Sequence, residues 1–178
     1  MSSPLILTLK LEAIAFDRLD ALRKRHFPAE RNFLPAHVTL FHALPADQNS
    51  AIQQTLQAVC AETPALLLAF PTLRFLGKGV AVAIDCPELI RLRQRLTTDW
   101  HDWLSAQDRQ AYRPHVTIQN KVRPDEARRL YDDLTSAWEP LTAKGEGLLL
   151  WRYLGGPWEL VSEFAFVEPI EPSVGQTG

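Results

Sequence analysis

Hydrophobic residues recur at every second position near the start of the chain. Leu5, Leu7, Leu9 and Leu11 are each separated by one residue, and Thr8 is among the residues between them. A period of two is the spacing of side chains on one face of a β-strand, so this segment predicts a strand.

The pattern then changes to helical spacing. Leu19 and Leu22 lie between Asp17, which can cap a helix N-terminus, and a basic run that ends at His26. Basic side chains suit the carbonyl end of a helix, so a short helix is predicted at about 17–26. The same criteria predict, in chain order, a strand at 36–42, a helix at 47–62, strands at 66–76 and 79–86, a helix at 87–104, a strand beginning near 115, a helix at 124–138, and strands at 141–154 and 158–167.

The order strand, helix, strand, helix and strand pair occurs twice in this prediction. The distance from Leu7 to His37 is 30 residues, and the distance from Ile84 to His115 is 31. An internal duplication explains both the order and the spacing. We therefore predict an α+β fold in which two pseudo-symmetric lobes, each with an antiparallel sheet and helices packed outside, face a central cleft.

Length and composition fit one domain with a hydrophobic core. The chain has 178 residues, of which 46% are hydrophobic, and a single domain is expected at 1–168. Residues 169–178 contain Pro and Gly without an apolar period and are expected to form a flexible tail. No segment has the pattern of a signal peptide or a membrane span, which predicts a cytoplasmic protein with no membrane partner.

The charge of the chain limits its partners. Nineteen basic and 21 acidic side chains give a net charge of −2, so no overall positive field favours non-specific binding of long nucleic acids. Cys60 and Cys86 lie far apart, without the spacing of a zinc site or a disulfide framework. Neither a metal nor a cofactor is expected.

A short pattern occurs once in each repeat. The tetrapeptides His-Val-Thr-Leu at His37 and His-Val-Thr-Ile at His115 lie 78 residues apart, and a proline shortly precedes each. A random sequence of this composition, with five histidines, is expected to contain about 0.3 His-x-Thr triplets by chance. Two copies at equivalent places therefore indicate a functional pair.

Strand geometry explains what this spacing can do. Residues i and i+2 of a strand project from one face, so each histidine and its threonine point together into the cleft. Two imidazoles can act as general base and general acid near neutral pH, while two hydroxyls can donate hydrogen bonds to phosphate oxygens. This combination predicts cleavage of a phosphoester without a metal.

The paired His-x-Thr sequences resemble those of the 2H phosphoesterase superfamily. The flanking residues, from Pro35 to Pro45 and from Arg113 to Lys121, are similar to the bacterial 2′-5′ RNA ligase-like and cyclic phosphodiesterase branch. The resemblance implies a bilobal α+β fold, with His37 and His115 as catalytic residues and Thr39 and Thr117 as phosphate ligands. It also implies substrates with 2′,3′-cyclic phosphates or 2′-5′ phosphodiester bonds, in RNA ends or small nucleotides.

Further contacts to a substrate are open to two interpretations. Phe41 and Gln119 continue the faces of the two strands and could contact a base or ribose, or could be sheet residues at the cleft edge. Tyr112 and Arg113 lie just before the second His-x-Thr sequence and are further candidates for contact with a substrate. Arg113 could clamp a phosphate or form a surface ion pair. His42 lies five positions after His37, so a core-directed, hydrogen-bonded structural role is expected for it.

Three functions are compatible with this cleft. Hydrolysis of the phosphoester is the leading hypothesis. Ligation is the reverse reaction, with a ribose 5′-hydroxyl in place of water, and a module that binds nucleotides or RNA ends without turnover would use the same groups. No obligate protein partner is evident from the sequence, and a monomer is expected.

Overall fold

The computed structural model describes residues 2–168, and the predicted tail lies outside them. The elements in chain order are β1 (Leu5–Leu11), α1 (Ala13–His26), β2 (Val38–Leu44), α2 (Asn49–Cys60), β3 (Leu66–Phe70), β4 (Leu73–Phe75), β5 (Val80–Ala83), α3 (Pro87–Asp99), β6 (His115–Gln119), α4 (Pro124–Ala137), β7 (Leu141–Tyr153) and β8 (Trp158–Ala165). Among the described residues, no helix is both long enough and apolar enough to cross a membrane.

Three predicted boundaries were wrong. Helix α1 begins at Ala13 and not near Asp17, because Glu12 directly follows β1 and its carbonyl oxygen already accepts a helical hydrogen bond from the amide of Phe16. The predicted strand at 66–76 is divided into β3 and β4 at Pro71, which has no amide proton for the sheet. Helix α3 ends at Asp99, before a short 3₁₀ turn.

The strands form two antiparallel sheets, which confirms the predicted α+β class. The larger sheet has the order β2-β1-β7-β3, with β8 also paired to β7, and the smaller sheet has the order β4-β5-β6. Strand β1 lies inside the larger sheet and is buried along most of its length. In each sheet the strand that carries the His-x-Thr threonine, β2 or β6, lies at one edge.

The two repeats exchange strands. The first repeat supplies β4 to the smaller sheet, where it pairs with β5 of the second repeat. The second repeat supplies β7 to the larger sheet, where it pairs with β1 of the first repeat. Each sheet is therefore built from both halves of the sequence. The sequence pattern instead predicted that each sheet is formed by one half of the chain.

Both strands of the His-x-Thr pair contain an additional residue directly after the threonine, and β2 contains a second one between Phe41 and Leu44. In the pairing of β1 with β2, Leu7 and Thr8 lie opposite Phe41 and Thr39, so Leu40 is extra. In the pairing of β5 with β6, Ile118 is extra in the same way. Such bulges change the face on which the following residues project. The equivalent positions in the two repeats show that the duplication extends to this detail.

Candidate active site

Two edge strands, β2 and β6, bring the paired sequences together in one cleft of about 340 Å³. His37, directly before β2, and Thr39 line the cleft from one side, and His115 and Thr117 of β6 line it from the other. The intervening valines of both tetrapeptides are fully buried in the core. The side chains lining the cleft are those of His37, Thr39, Leu40, His42, Arg74, Arg93, Gln107, Asp108, Gln110, Ala111, Tyr112, Arg113, His115, Thr117 and Trp158.

The two imidazoles are oriented by equivalent hydrogen bonds. The Nδ1 atom of His37 lies 2.8 Å from the carbonyl oxygen of Pro35, and Nδ1 of His115 lies 2.8 Å from the carbonyl oxygen of Arg113. A carbonyl oxygen can only accept, so Nδ1 must carry the proton in each ring. This arrangement leaves Nε2 of both histidines available for proton transfer.

The surroundings of both rings favour the neutral imidazole. The pKa of His37 is lowered to about 4, mainly by burial, which outweighs the opposing effect of the Pro35 carbonyl, with smaller contributions from the positive charge of Arg23 and from His115. Burial also lowers the pKa of His115, with a contribution from Arg74. In the absence of a bound anion, burial therefore favours the neutral form of both rings, which is the form that a general base requires.

Two side chains hold the threonine-bearing strands in place by donating hydrogen bonds to their carbonyl oxygens. The hydroxyl of Tyr112 donates to the carbonyl oxygen of Thr39 at 3.0 Å. The guanidinium of Arg23 donates to the carbonyl oxygen of Thr117 at 2.9 Å. Because both bonds use the main chain, the two threonine hydroxyls stay available to the cleft.

Two buried arginines connect the repeats across the site. Arg23 of α1, in the first repeat, donates to Thr117 in the second. Arg93 of α3, in the second repeat, donates to the carbonyl oxygen of Leu40 in the first at 3.2 Å. Its guanidinium also lies 4.4 Å from the centre of the Phe41 ring. Each His-x-Thr strand is therefore held by a helix of the other repeat.

His42 faces the cleft, and the expectation that it points into the core was wrong. The bulge in β2 reverses the alternation after Leu40, so His42 lines the cleft with about half of its side chain exposed. The expected hydrogen bonding is present, because its Nδ1 lies 3.1 Å from the buried carboxylate of Asp108. Asp108 also accepts the amides of His42 and Ala43.

The other predicted contacts are distributed between cleft and core. Phe41 is fully buried with its ring 5.3 Å from that of Trp100, and Gln119 is also buried. Neither lines the cleft, because the bulges turn both residues inward. Arg113 and Tyr112 do line it, although the hydroxyl of Tyr112 is engaged by the main chain.

Several residues that line the cleft were not found from the sequence. Among them are His42, Asp108, Arg74 and Trp158. Trp158 opens β8 and belongs to no recognisable pattern, yet its ring centre is 4.8 Å from that of His37 in an edge-to-face arrangement. Only strand pairing places Arg74 and Trp158 at the site, and no local sequence signal could have identified them.

An α+β fold with two opposed His-x-Thr strands at one cleft defines the 2H phosphoesterase class. The sequence profile of the 2′-5′ RNA ligase superfamily matches residues 11–157. The chain therefore belongs to this superfamily. No curated protein matches the sequence.

Solved structures show the same fold at low sequence identity. LigT of E. coli complexed with 3′-AMP is 15% identical, with a TM-score of 0.65 over 94% of this chain and 100% of that one. The protein TT0787 of Thermus thermophilus is 14% identical, with a TM-score of 0.63 over 93% and 98%. LigT complexed with NADP+ is 16% identical, with a TM-score of 0.59 over 93% and 99%.

Proposed function

We propose that this protein is a metal-independent phosphoesterase that cleaves 2′,3′-cyclic phosphates or 2′-5′ phosphodiester bonds of RNA ends or small nucleotides. The observation that carries the proposal is the matched pair of histidines. Both line one cleft, and both have Nδ1 fixed by a carbonyl oxygen, so that Nε2 remains for chemistry.

The proposed reaction uses one ring as base and the other as acid. A neutral imidazole takes a proton from water while the water oxygen forms a bond to phosphorus. The bond from phosphorus to a ribose oxygen breaks, and the opposite imidazolium gives its proton to that oxygen. The phosphate anion between the rings raises the pKa of both imidazoles, which supplies the protonated partner that the free cleft disfavours.

The threonines have a binding role in this proposal. The hydroxyls of Thr39 and Thr117 donate hydrogen bonds to the non-bridging oxygens, where charge accumulates as water attacks. Their main-chain bonds to Tyr112 and Arg23 hold the donors in place. Fixed donors lose little freedom when the transition state forms, which favours the reaction.

A nucleoside fits on the side of the cleft next to His37. A mostly apolar cavity of about 620 Å³ adjoins the cleft and shares His37 and Trp158 with it. The indole of Trp158 can stack on a base of any kind. The nucleotides with which LigT is complexed, 3′-AMP and NADP+, are consistent with this assignment.

The test is turnover of defined substrates in the presence of EDTA. Purified protein is incubated with nucleoside 2′,3′-cyclic phosphates and a 2′-5′-linked dinucleotide, and products are identified by phosphorus NMR. We expect His37→Ala and His115→Ala each to lower turnover by about 10² to 10⁴. The double variant should lose less than the product of the two effects, because the pair acts as a unit.

His101→Ala is the matched control, since His101 lies on the surface with about 71% of its side chain exposed. Full activity of His115→Ala would contradict the two-histidine mechanism. Tight binding of a nucleotide without turnover would instead support the binding module. Joining of a cyclic phosphate end to an RNA with a 5′-hydroxyl would support ligation.

A further inference from the structure

We propose that Arg74 and Arg113 form a second phosphate site beside the cleft, which selects substrates carrying a phosphoryl group on the 5′ side of the reacting nucleotide. The inference rests on the proposed function and names its substrate class. The shared chemistry is a 5′-linked phosphoryl group, either a terminal monophosphate or the preceding diester of an oligoribonucleotide.

The position of Arg74 follows from strand pairing. Ala81 of β5 is paired with Arg74 on one side and with Thr117 on the other. Directly paired residues of antiparallel strands project from the same face, so Arg74 and Thr117 share a face with a small alanine between them. The guanidinium of Arg74 consequently reaches the cleft, which it helps to line.

Arg113 approaches the same place from the loop before β6. Its carbonyl oxygen orients His115, while its side chain is exposed and lines the cleft. Arg74 and Arg113 also line an adjoining open cavity of about 550 Å³. The two guanidinium groups therefore stand where the cleft continues beyond His115.

These two charges have no acidic partner in the part of the chain that the structure describes. Neither side chain makes a hydrogen bond or ion pair there, whereas Arg91 pairs with Glu88 and Arg95 with Glu62. Asp85 also lines the adjoining cavity but forms no ion pair with either arginine. Two unpaired arginines side by side in a concave site suit a phosphate, whose oxygens can neutralise both.

The two ends of the cleft differ in chemistry. In the smaller sheet, Thr117 is two strands away from Arg74. The residue at the equivalent place in the larger sheet is Leu149, because Thr39 is paired with Thr8 and Thr8 is paired with Leu149. An apolar residue therefore replaces the arginine. Leu149 lines the apolar cavity that adjoins His37. One end is therefore suited to a base and the other to an anion.

The shape of a nucleotide matches this division. In a 2′,3′-cyclic phosphate the base is attached at C1′, next to C2′, and the 5′ carbon is attached at C4′, next to C3′. The base and the 5′ substituent consequently leave the reacting phosphate in opposite directions. A base beside Trp158 directs the 5′ phosphoryl group towards Arg74 and Arg113.

The experiment compares ligands that differ only in the 5′ group. Binding of adenosine 3′-phosphate and adenosine 3′,5′-bisphosphate is measured by calorimetry for the wild type, Arg74→Gln, Arg113→Gln and the double variant. We expect the 5′ phosphate to tighten binding by roughly 10- to 100-fold in the wild type, and the double variant to lose this gain. Arg95→Gln, which removes an equal charge elsewhere, should retain it.

Turnover of adenosine 2′,3′-cyclic phosphate with a 5′-hydroxyl, with a 5′-phosphate and with a preceding nucleotide then distinguishes the two sources of the group. Equal affinity of the wild type for both adenosine phosphates would overturn the second site, as would a gain that survives in the double variant. Failure of the proposed function would appear differently, as an absence of turnover with the 5′ phosphate effect on binding intact.

Discussion

Among single residues, His37 has an environment that makes the stability of the fold depend on pH. Burial lowers the pKa of its imidazole to about 4, whereas a histidine in an unfolded chain has a pKa near 6.5. Between these values the unfolded state binds more protons than the folded state. The free energy of unfolding therefore contains a contribution that is present above about pH 6.5 and is lost as the pH falls towards about 4.

Replacing His37 by glutamine should remove part of this pH dependence. We expect the stability of His37→Gln to fall less steeply than that of the wild type between about pH 6.5 and 4, because glutamine takes up no proton. The remaining slope belongs to groups such as His115 and His26, whose pKa values are also lowered. Urea unfolding at a series of pH values measures the effect.

The control is the stability of each protein at about pH 8, because His37 is neutral there in both the folded and the unfolded state. Parallel curves for the wild type and His37→Gln across the acidic range would show that the folded protein does not disfavour the charged ring.

At the scale of secondary-structure elements, the bulges decide which side chains reach the substrate. Without the extra Leu40, the alternation along β2 would place Phe41 in the cleft and His42 in the core. The pairing with β1 shows the reverse arrangement. The equivalent bulge in β6 buries Gln119. A bulge depends on the register with a neighbouring strand, which explains why the sequence pattern of one strand did not reveal it.

The hydrogen bond from Arg23 of α1 to the carbonyl oxygen of Thr117 in β6 leads to a prediction about stability. In Arg23→Leu the carbonyl oxygen of Thr117 and the side-chain oxygen of Asn32 both lose their donor. We expect a loss of about 1–3 kcal/mol in the free energy of unfolding, since buried acceptors without partners are costly. Turnover should also fall, because Thr117 is less firmly positioned.

Arg25→Leu is the matched control, as Arg25 lies exposed on the same helix and should change stability by less than about 0.5 kcal/mol. Equal stability of the two variants in urea unfolding would mean that the Arg23 bond contributes nothing to the fold.

At the scale of the whole molecule, the exchanged strands connect the two repeats. Strand β7 pairs with β1, and β4 pairs with β5, so neither repeat completes a sheet alone. The hydrophobic core is also shared, as the contact of Phe41 with Trp100 illustrates. We therefore expect one cooperative unfolding transition for the described fold.

Two probes can test this cooperativity. All five tryptophans lie in the second repeat, and Trp100 and Trp158 also contact the first, so their fluorescence reports on the second repeat and on its contacts with the first. Far-UV circular dichroism follows the helices of both repeats, and the two urea curves should coincide. Midpoints that differ between the two probes would show that the repeats unfold separately.

The element types, the α+β class and the family resemblance follow from the amino-acid sequence alone. Those features depend on local periodicity and on short patterns such as His37 with Thr39, which one segment of chain carries. The exchange of strands, the bulges, and the approach of Arg74, Asp108 and Trp158 to the cleft became visible only in the folded molecule. These depend on pairing between segments distant in the chain, and the free energy of such pairing comes from neighbours that a single segment does not contain.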